Sequence, residues 1–460
     1  MQTQDQPGSP PHLGRSLIAL IIGSMILRAA AGAMGENIQF YFNSIHQAAQ
    51  NLDHPLRTIA GAQNVFEVSY TVGGLIIAAF FAAELIGAPL FGAWSDRYGR
   101  KLFIILGPLF GAIAVQITAM TTIIWLLLFT RILEGISTAA NAPATLGYIA
   151  EATAHSQRLR ARVVGFFEIA TIGGVALGFS LGGWLWRNFG TPAIVAGIPL
   201  TSPAFALNAL IYIASLLILF FGLGEIRETK RASRTVSHSL KHYASLLANK
   251  SVQSFAPAWI AINAVLGVFI NLTARLLTDK SVFPNQLLVG HFDSLQAGNI
   301  IALFALVFVT GILVWSLFFA HLKKPTVMLI GIGGLFLTCL LMFLINHQPS
   351  LESPWLTPLA ILMAGSIMLQ SGFTPAALTY LTDVTENYSA DRGAIMGLYS
   401  VFLGVGQFIG ASICGPFADW NGADGIILVI ALLGGFAAIM VLRLNGIRPA
   451  PKSIQSPEPT

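Results

Sequence analysis

In the first half of this chain, six ionisable side chains stand out inside long apolar runs: Arg28, Glu36, Glu84, Arg131, Glu134 and Glu168. Charge in such surroundings is expensive, and where it occurs it marks a place at which charge is bound or moved. A carboxyl in a low-dielectric setting keeps its proton, and a nearby guanidinium favours its release. A carboxylate beside an arginine that moves between two states can therefore take up a proton in one and give it back in the other. Glu36 or Glu134 fits the carrier, with Arg131 as the modulating charge. The competing reading is a static ion pair that joins the first and fourth apolar runs. Glu84 and Glu168 fit a site for a substrate cation or a gating pair, and the sequence does not rank the two. Arg28 and Arg131 suit an anion, and Phe166, Phe167, Tyr380 and Tyr399 suit an apolar ligand.

The elements that position these groups are membrane spans. The 460 residues are 55% hydrophobic and 10% charged, with a mean hydropathy of +0.72. A soluble chain carries about 25% charged residues, so this surplus of apolar surface needs lipid as its solvent. A span needs about 20 apolar residues. Twelve stretches qualify: 15–42, 67–91, 102–122, 124–149, 161–186, 203–223, 256–278, 296–320, 326–346, 355–381, 394–418 and 424–444. At about 1.5 Å per residue, Glu36 falls roughly 9 Å below the outer end of its span and Arg131 at a similar depth. Glu134 follows one turn deeper, with Thr138 and Thr145 extending the polar stripe. Glu84 and Glu168 come out roughly 12 Å above the inner surface. The expectation is an outer cluster of Glu36, Arg131 and Glu134, an inner pair of Glu84 and Glu168, and Arg28 between them. The second half offers neutral groups, Asn263, Asn299, Gln370 and Gln407, with Arg275 near an outer span end.

The sequence pI near 9.3 invites a nucleic-acid reading, but the charge is distributed otherwise. About nineteen of the 25 Lys and Arg fall in loops that a cytoplasmic N-terminus places inside, which is the positive-inside pattern. Both termini are then cytoplasmic, in a multi-pass protein of the plasma (inner) membrane. The first apolar run lacks a small-residue cleavage site and is long enough to span, so it reads as the first span rather than a signal peptide. Cys339 and Cys414 lie within spans, which implies neither a disulfide framework nor a metal site.

The chain partly overlays itself when shifted by 232 residues. Pro143, Ala144, Leu146 and Tyr148 fall on Pro375, Ala376, Leu378 and Tyr380, Arg160 falls on Arg392, and Gly165 on Gly397. Gly174, Gly178, Gly183 and Gly190 fall on Gly406, Gly410, Gly415 and Gly422. Such symmetry is what parallel repeats leave behind. The fold class follows: all-α, twelve transmembrane helices in two six-helix pseudo-repeat bundles. The expected division is a cytoplasmic tail at 1–14, bundles at 15–223 and 256–444, a basic linker at 224–255 and a tail at 445–460. Part of the linker, 239–250, has the composition of a helix lying on the membrane surface. Gly178-x-x-x-Gly182 and Gly406-x-x-x-Gly410, with Gly183 and Gly415, are expected to let helices approach closely.

Residues 92–101 read GAWSDRYGRK, a polar segment between two apolar runs that is expected to form a tight loop at the inner surface. It resembles the loop between helices 2 and 3 of the major facilitator superfamily. Arg131-Ile-Leu-Glu134-Gly135 resembles that family's helix 4 element, and the run from Pro143 to Gly183 is most similar to the drug:proton antiporter branch. The resemblance implies a central cavity, alternating access, a small-molecule substrate, protons as coupling ion and no cofactor. It also implies a gating segment of Gly92, Asp96, Arg97, Gly99, Arg100 and Lys101. Asp96 would meet the positive end of a helix in the other half, and the basic residues would anchor on lipid headgroups. Two departures stand out. Phe179 replaces the proline of the branch's G-P-x-x-G-G, which leaves the direction of transport open, and the loop between spans 8 and 9, His321-Leu322-Lys323-Lys324-Pro325, has lost the Asp-Arg-Gly pattern.

A channel would satisfy the hydropathy without the repeat and the 92–101 segment. An enzyme would need a reactive constellation, and no His pairs at metal spacing or Ser/His/Asp grouping occur. The leading expectation is a monomeric secondary transporter exporting a drug-like molecule or metabolite against protons. The alternative is a symporter or uniporter importing a sugar or organic acid. Segments 43–66 and 188–202 carry no reading.

Overall fold

A computed structural model describes residues 12–60, 65–224, 250–280, 283, 285–318, 322–384 and 392–446. Most of the expected linker, including 239–249, and both expected tails lie largely outside these residues. Thirteen helical elements lie among the described residues. In the first half they are α1 (His12–Gln50), the short α2 (Pro55–Ala60), α3 (Tyr70–Tyr98), α4 (Arg100–Thr118), α5 (Ile124–Ala152), α6 (Gln157–Phe189) and α7 (Pro203–Gly222). The second half holds α8 (Lys250–Thr278), α9 (Ser294–Phe318), α10 (Lys324–Asn346), α11 (Leu356–Ser371), α12 (Phe373–Val384) and α13 (Arg392–Gly446).

These elements make twelve crossings. α11 and α12 form one, interrupted at Gly372, and α13 forms two, because Asn421 and Gly422 leave helical geometry in its middle. Gly422 has φ +54°, which glycine adopts without strain. Ten segments are long and apolar enough to cross a membrane by composition alone, with the two arms of α13 counted as one. α5 is not among them, since Arg131, Glu134 and Glu151 dilute its hydropathy.

Several helices outrun the apolar runs that announce them. α1 continues to Gln50 and α3 to Tyr98, eight and seven residues past the expected ends. The segment at 92–101 is therefore a correction: it is helical except for Gly99, whose φ of 97° turns the chain directly into α4. Hydropathy reports where a helix leaves lipid, whereas the backbone hydrogen-bond ladder continues until a residue breaks it. At 188–202 the chain forms a small antiparallel hairpin, β1 (Ala193–Val195) and β2 (Ile198–Leu200), turned by Ala196 and Gly197 at positive φ.

Two antiparallel helix pairs, α3 with α13 and α6 with α9, make the most extensive contacts between the halves, and α1 also meets α8. The glycine frame explains their closeness. A β-carbon on Gly415 would lie 2.6 Å from the Tyr70 carbonyl oxygen, and one on Gly183 3.0 Å from the Cα of Leu295. These are the two glycines that superimpose in the repeat. Gly178 and Gly182 serve within the first half, where their added β-carbons would lie 2.9 Å from the Cα atoms of Gly32 and Ala33 on α1. Gly410 serves within the second half, where its β-carbon would lie 2.9 Å from the Val268 amide nitrogen on α8.

Candidate functional site

The first half concentrates its charge around one small cavity. Arg28 of α1, Ser137, Thr138 and Asn141 of α5, and Tyr212 of α7 line it, with Leu27 and Ala31. Beside it the Arg131 guanidinium pairs with the Glu134 carboxylate three residues along the same helix, and both are 3% exposed. Tyr212 donates its hydroxyl to Glu134 Oε1 at 3.3 Å. Arg131 Nε and Nη2 make no hydrogen bond among the described residues. Ser137 Oγ donates to the Gly107 carbonyl at 2.5 Å and Asn141 Nδ2 to that of Ile104 at 3.0 Å, which fixes this face of α5 against α4.

The expected layers are redistributed. Glu84 belongs with this cluster, since its charged neighbour is Arg28. An added β-carbon on Gly135 would lie 3.1 Å from the Glu84 amide nitrogen, so Glu84 and Glu134 share one level. Glu168 is exposed on α6 and is not brought to Glu84. Glu36 is not part of the Arg131–Glu134 pair either. It is fully buried where α1 packs on α6, its Cβ 2.9 Å from the position of a β-carbon on Gly182, and neither carboxylate oxygen has a hydrogen-bond partner among the described residues. Glu36 lies about 21 Å along α1 from its end at Gln50, and Glu84 about 21 Å along α3 from its end at Tyr98. The static ion pair between the first and fourth spans is likewise not formed, as Arg131 finds its partner on its own helix.

Helix ends organise the 92–101 segment. Arg100 pairs with Asp96 one turn earlier, with Glu151 Oε1 of α5 at 3.1 Å, and donates to Ser95 Oγ at 2.8 Å. Arg97 lies over the Tyr98 ring, 5.3 Å from its centroid, and is exposed, while Lys101 is half-buried and Gly92 sits against Pro143.

The residue least anticipated is Arg275, 1% exposed at the opposite end of the molecule. Its Nε donates to Asn43 Oδ1 at 3.0 Å, Nη1 to the Ser69 carbonyl at 2.9 Å and Nη2 to the Val68 carbonyl at 2.5 Å. The guanidinium stacks over Tyr70 at 4.4 Å, and Tyr70 donates its hydroxyl to Asp279 Oδ2 at 2.7 Å. Asn43 Nδ2 returns a bond to the Arg275 carbonyl at 2.8 Å, and Gln39 Nε2 donates to that of Ile270 at 3.1 Å. Asp419 accepts from the amides of Tyr70 and Thr71 at 2.8 and 2.9 Å. Ser294 Oγ donates to the Gly183 carbonyl at 3.1 Å and Arg187 pairs with Asp293 at 3.6 Å, joining the two halves at this same end. The sequence offered one signal for it, an arginine near an outer span end of the second half.

Two six-helix bundles bridged by paired helices, with ionisable side chains buried within them, define the transporter class of membrane protein. The model of the Major Facilitator Superfamily matches residues 16–288 and 280–460, and the chain belongs to that family. Among similar proteins is Multidrug resistance protein 2 of Bacillus subtilis (strain 168), 26% identical over 386 residues that cover 83% of this chain and 87% of that one. Tetracycline resistance protein, class E, of Escherichia coli is 30% identical over 188 residues, 41% of each chain. Of solved structures, the nucleoside transporter NupG aligns at a TM-score of 0.69 with 13% identity, over 94% of this chain and 98% of that one. A bacterial homolog of the human lysosomal transporter Spinster, inward-facing and unoccupied, aligns at 0.69 with 15% identity, over 96% and 100%. These two likenesses carry the fold alone.

Proposed function

We propose that this protein is a proton-coupled exporter of small drug-like molecules or metabolites, working by alternating access as a monomer in the plasma membrane with both termini in the cytoplasm. The positive-inside distribution then makes the Arg275 end the outer one, and the described state faces inward. Relatives named for multidrug and tetracycline resistance support export.

The observation that carries proton coupling is Glu36. An ionised carboxylate without a partner costs far more to bury than folding supplies, so a buried, unpartnered carboxyl is stable as the neutral acid. One turn further along α1, Gln39 and Phe40 touch the second half. A motion that separates the halves there would wet Glu36 and let it ionise. Glu134, held by Arg131 and Tyr212, is the second candidate carrier. Arg28, Glu84 and Arg131 form the polar wall that a substrate would meet. Import of a polar solute remains the second reading, favoured by Phe179 at the family's proline position.

The test is accumulation of dyes, drugs and labelled metabolites in an efflux-deficient host, with and without a protonophore, for the wild type, Asp96→Asn, Glu36→Gln and Glu134→Gln. Export predicts lower accumulation with the wild type alone, abolished by the protonophore. Higher accumulation with the wild type would mean uptake. Intact pH-dependent transport in both glutamine variants would end the coupling assignment.

A further inference from the structure

Two connections at the Arg275 end carry no charge. From Leu102 to Thr130, through the α4–α5 turn, and from Asn188 to Gly224, through the β1–β2 hairpin, the sequence has no Asp, Glu, Lys, Arg or His. The other connections at that end all carry it. Asp53, Arg57 and Glu67 follow α1, Asp279, Lys280 and Asp293 separate α8 from α9, Glu352 lies between α10 and α11, and Asp419 and Asp424 flank the break in α13. A charge holds a connection in water, and a connection without one is released from that constraint.

The hairpin is held at its base and free at its tip. The Thr201 amide donates to the Ala119 carbonyl at 2.7 Å, Ser202 Oγ donates to that of Phe189 at 3.3 Å, and Leu200 is buried in the core that holds Tyr41 and Phe205. Cross-strand partners share a face, so Ile194 and Pro199 stand on one side of the ribbon and Val195 and Ile198 on the other. All four are exposed, Ile194 by 70%. The tip therefore has no polar face to turn to water, and a two-stranded ribbon in water is marginal at best.

Its surroundings say what covers it. The hairpin rests on the end of α4 and leads into α7, and these two helices pack on α1, α5 and each other within the first half. That places it over the periphery of the half rather than over the seam with the second. The helix surface there faces lipid: Trp125, Phe129 and Ile132 form an exposed apolar stripe on α5, and Leu210, Ile213 and Leu217 form one on α7. At the end of α6 the exposed rings of Trp184 and Phe189 lie 5.8 Å apart, at the level where aromatic residues collect between membrane and water. The hairpin continues this apolar surface beyond the spans.

Two requirements then set its depth. The side chains favour an apolar medium, but each strand of a two-stranded ribbon keeps one edge of its N–H and C=O groups unpaired, and such groups are not left in hydrocarbon. Both are met only where headgroups and acyl chains join. We propose that the β1–β2 hairpin is a membrane anchor in the leaflet at the Arg275 end, with Ile194, Val195 and Ile198 about 5–10 Å into the headgroup/acyl boundary and the strand edges hydrated. The anchor fixes the height of α6 and α7 at that leaflet.

The test is a depth measurement on the full-length protein in phosphatidylcholine nanodiscs. A nitroxide at Val195→Cys is probed with molecular oxygen, which concentrates in lipid, and with a neutral nickel chelate, which stays in water; Cys339 and Cys414 are buried. The oxygen-to-nickel ratio is expected to be several-fold above that of Leu351→Cys, which is exposed beside Glu352, and close to that of Trp125→Cys on the α5 stripe. Ile194→Cys reads the opposite face, with the same expectation, and carries the test should Val195→Cys fail to fold. Adding Ile194→Asp and Ile198→Asp to Val195→Cys is expected to lift the label out, to the ratio of Leu351→Cys. A ratio at Val195→Cys equal to that of Leu351→Cys would overturn the anchor. So would protection from both reagents, which would mean that a second copy covers the hairpin, or a ratio that the two aspartates leave unmoved. The readout uses neither substrate nor a proton gradient and is indifferent to which side is cytoplasmic, so the export reading and the anchor fail separately.

Discussion

Two buried arginines of this protein sit in opposite circumstances. Arg275 joins the halves: its three donor nitrogens reach Asn43, Ser69 and Val68, all in the first half, and an aromatic ring covers its face. Arg131 joins nothing across helices. Its ion-pair partner is Glu134 on its own helix, and its Nε and Nη2 make no hydrogen bond among the described residues. A saturated guanidinium is a structural fastening, because each donor already has a partner that would be costly to strand. An unsaturated one keeps capacity for a ligand, or for a counter-charge that changes between states.

Arg275→Met is the strongest way to break that contrast. It removes the cation while nearly preserving volume, and it leaves the Val68 and Ser69 carbonyls and Asn43 Oδ1 buried without donors. Breaking one side of such a buried network costs about 3–5 kcal/mol. The expected result is a large fall in the melting temperature of the purified protein, measured in detergent by tryptophan fluorescence. A melting temperature equal to wild type would mean that the interface stands on its apolar contacts alone.

Much of this architecture was legible in the sequence, and the reason is locality. Hydropathy, the 232-residue repeat and the charge asymmetry are each read from neighbouring residues or from the chain against itself. Spatial pairing depends on where helices end and how they are rotated, and there the reading failed. Glu36 is turned toward Gly182 of α6 rather than toward the Arg131–Glu134 pair, and Glu84 lies level with Glu134, both outcomes of helix packing that residue spacing does not report. Arg275 was visible but mute, because two of its partners are backbone carbonyls, and a carbonyl leaves no mark on residue type. Asp419 was invisible for the same reason, its acceptors serving the amides of Tyr70 and Thr71.

The second prediction separates stability from function at Arg131. Replacing both members of a buried ion pair by apolar residues of similar volume is often neutral, whereas removing one strands a charge. Arg131→Met combined with Glu134→Leu is therefore expected to melt within about 1 kcal/mol of wild type, yet to lose transport in the accumulation assay. A double variant as unstable as Arg275→Met would show that the Arg131 pair, too, is a fastening, and the contrast would collapse.

The smallest expected effect is the most informative about what surrounds Glu134. Tyr212 reaches it from α7, donating its hydroxyl to Glu134 Oε1 at 3.3 Å. Tyr212→Phe keeps the ring, which packs under Gly111 of α4, and deletes the hydroxyl. A single hydrogen bond to a charged group contributes about 1.5–3 kcal/mol when its geometry is good, and one at this length less, so about 1 kcal/mol of stability should be lost. Transport should persist, with its pH profile displaced, because the hydroxyl stabilises the ionised form of Glu134 and its loss favours the protonated one. The profile is then expected to move toward higher pH, since Glu134 would release its proton later. An unmoved profile with reduced stability would remove Glu134 from the proton path and leave Glu36 to carry it alone.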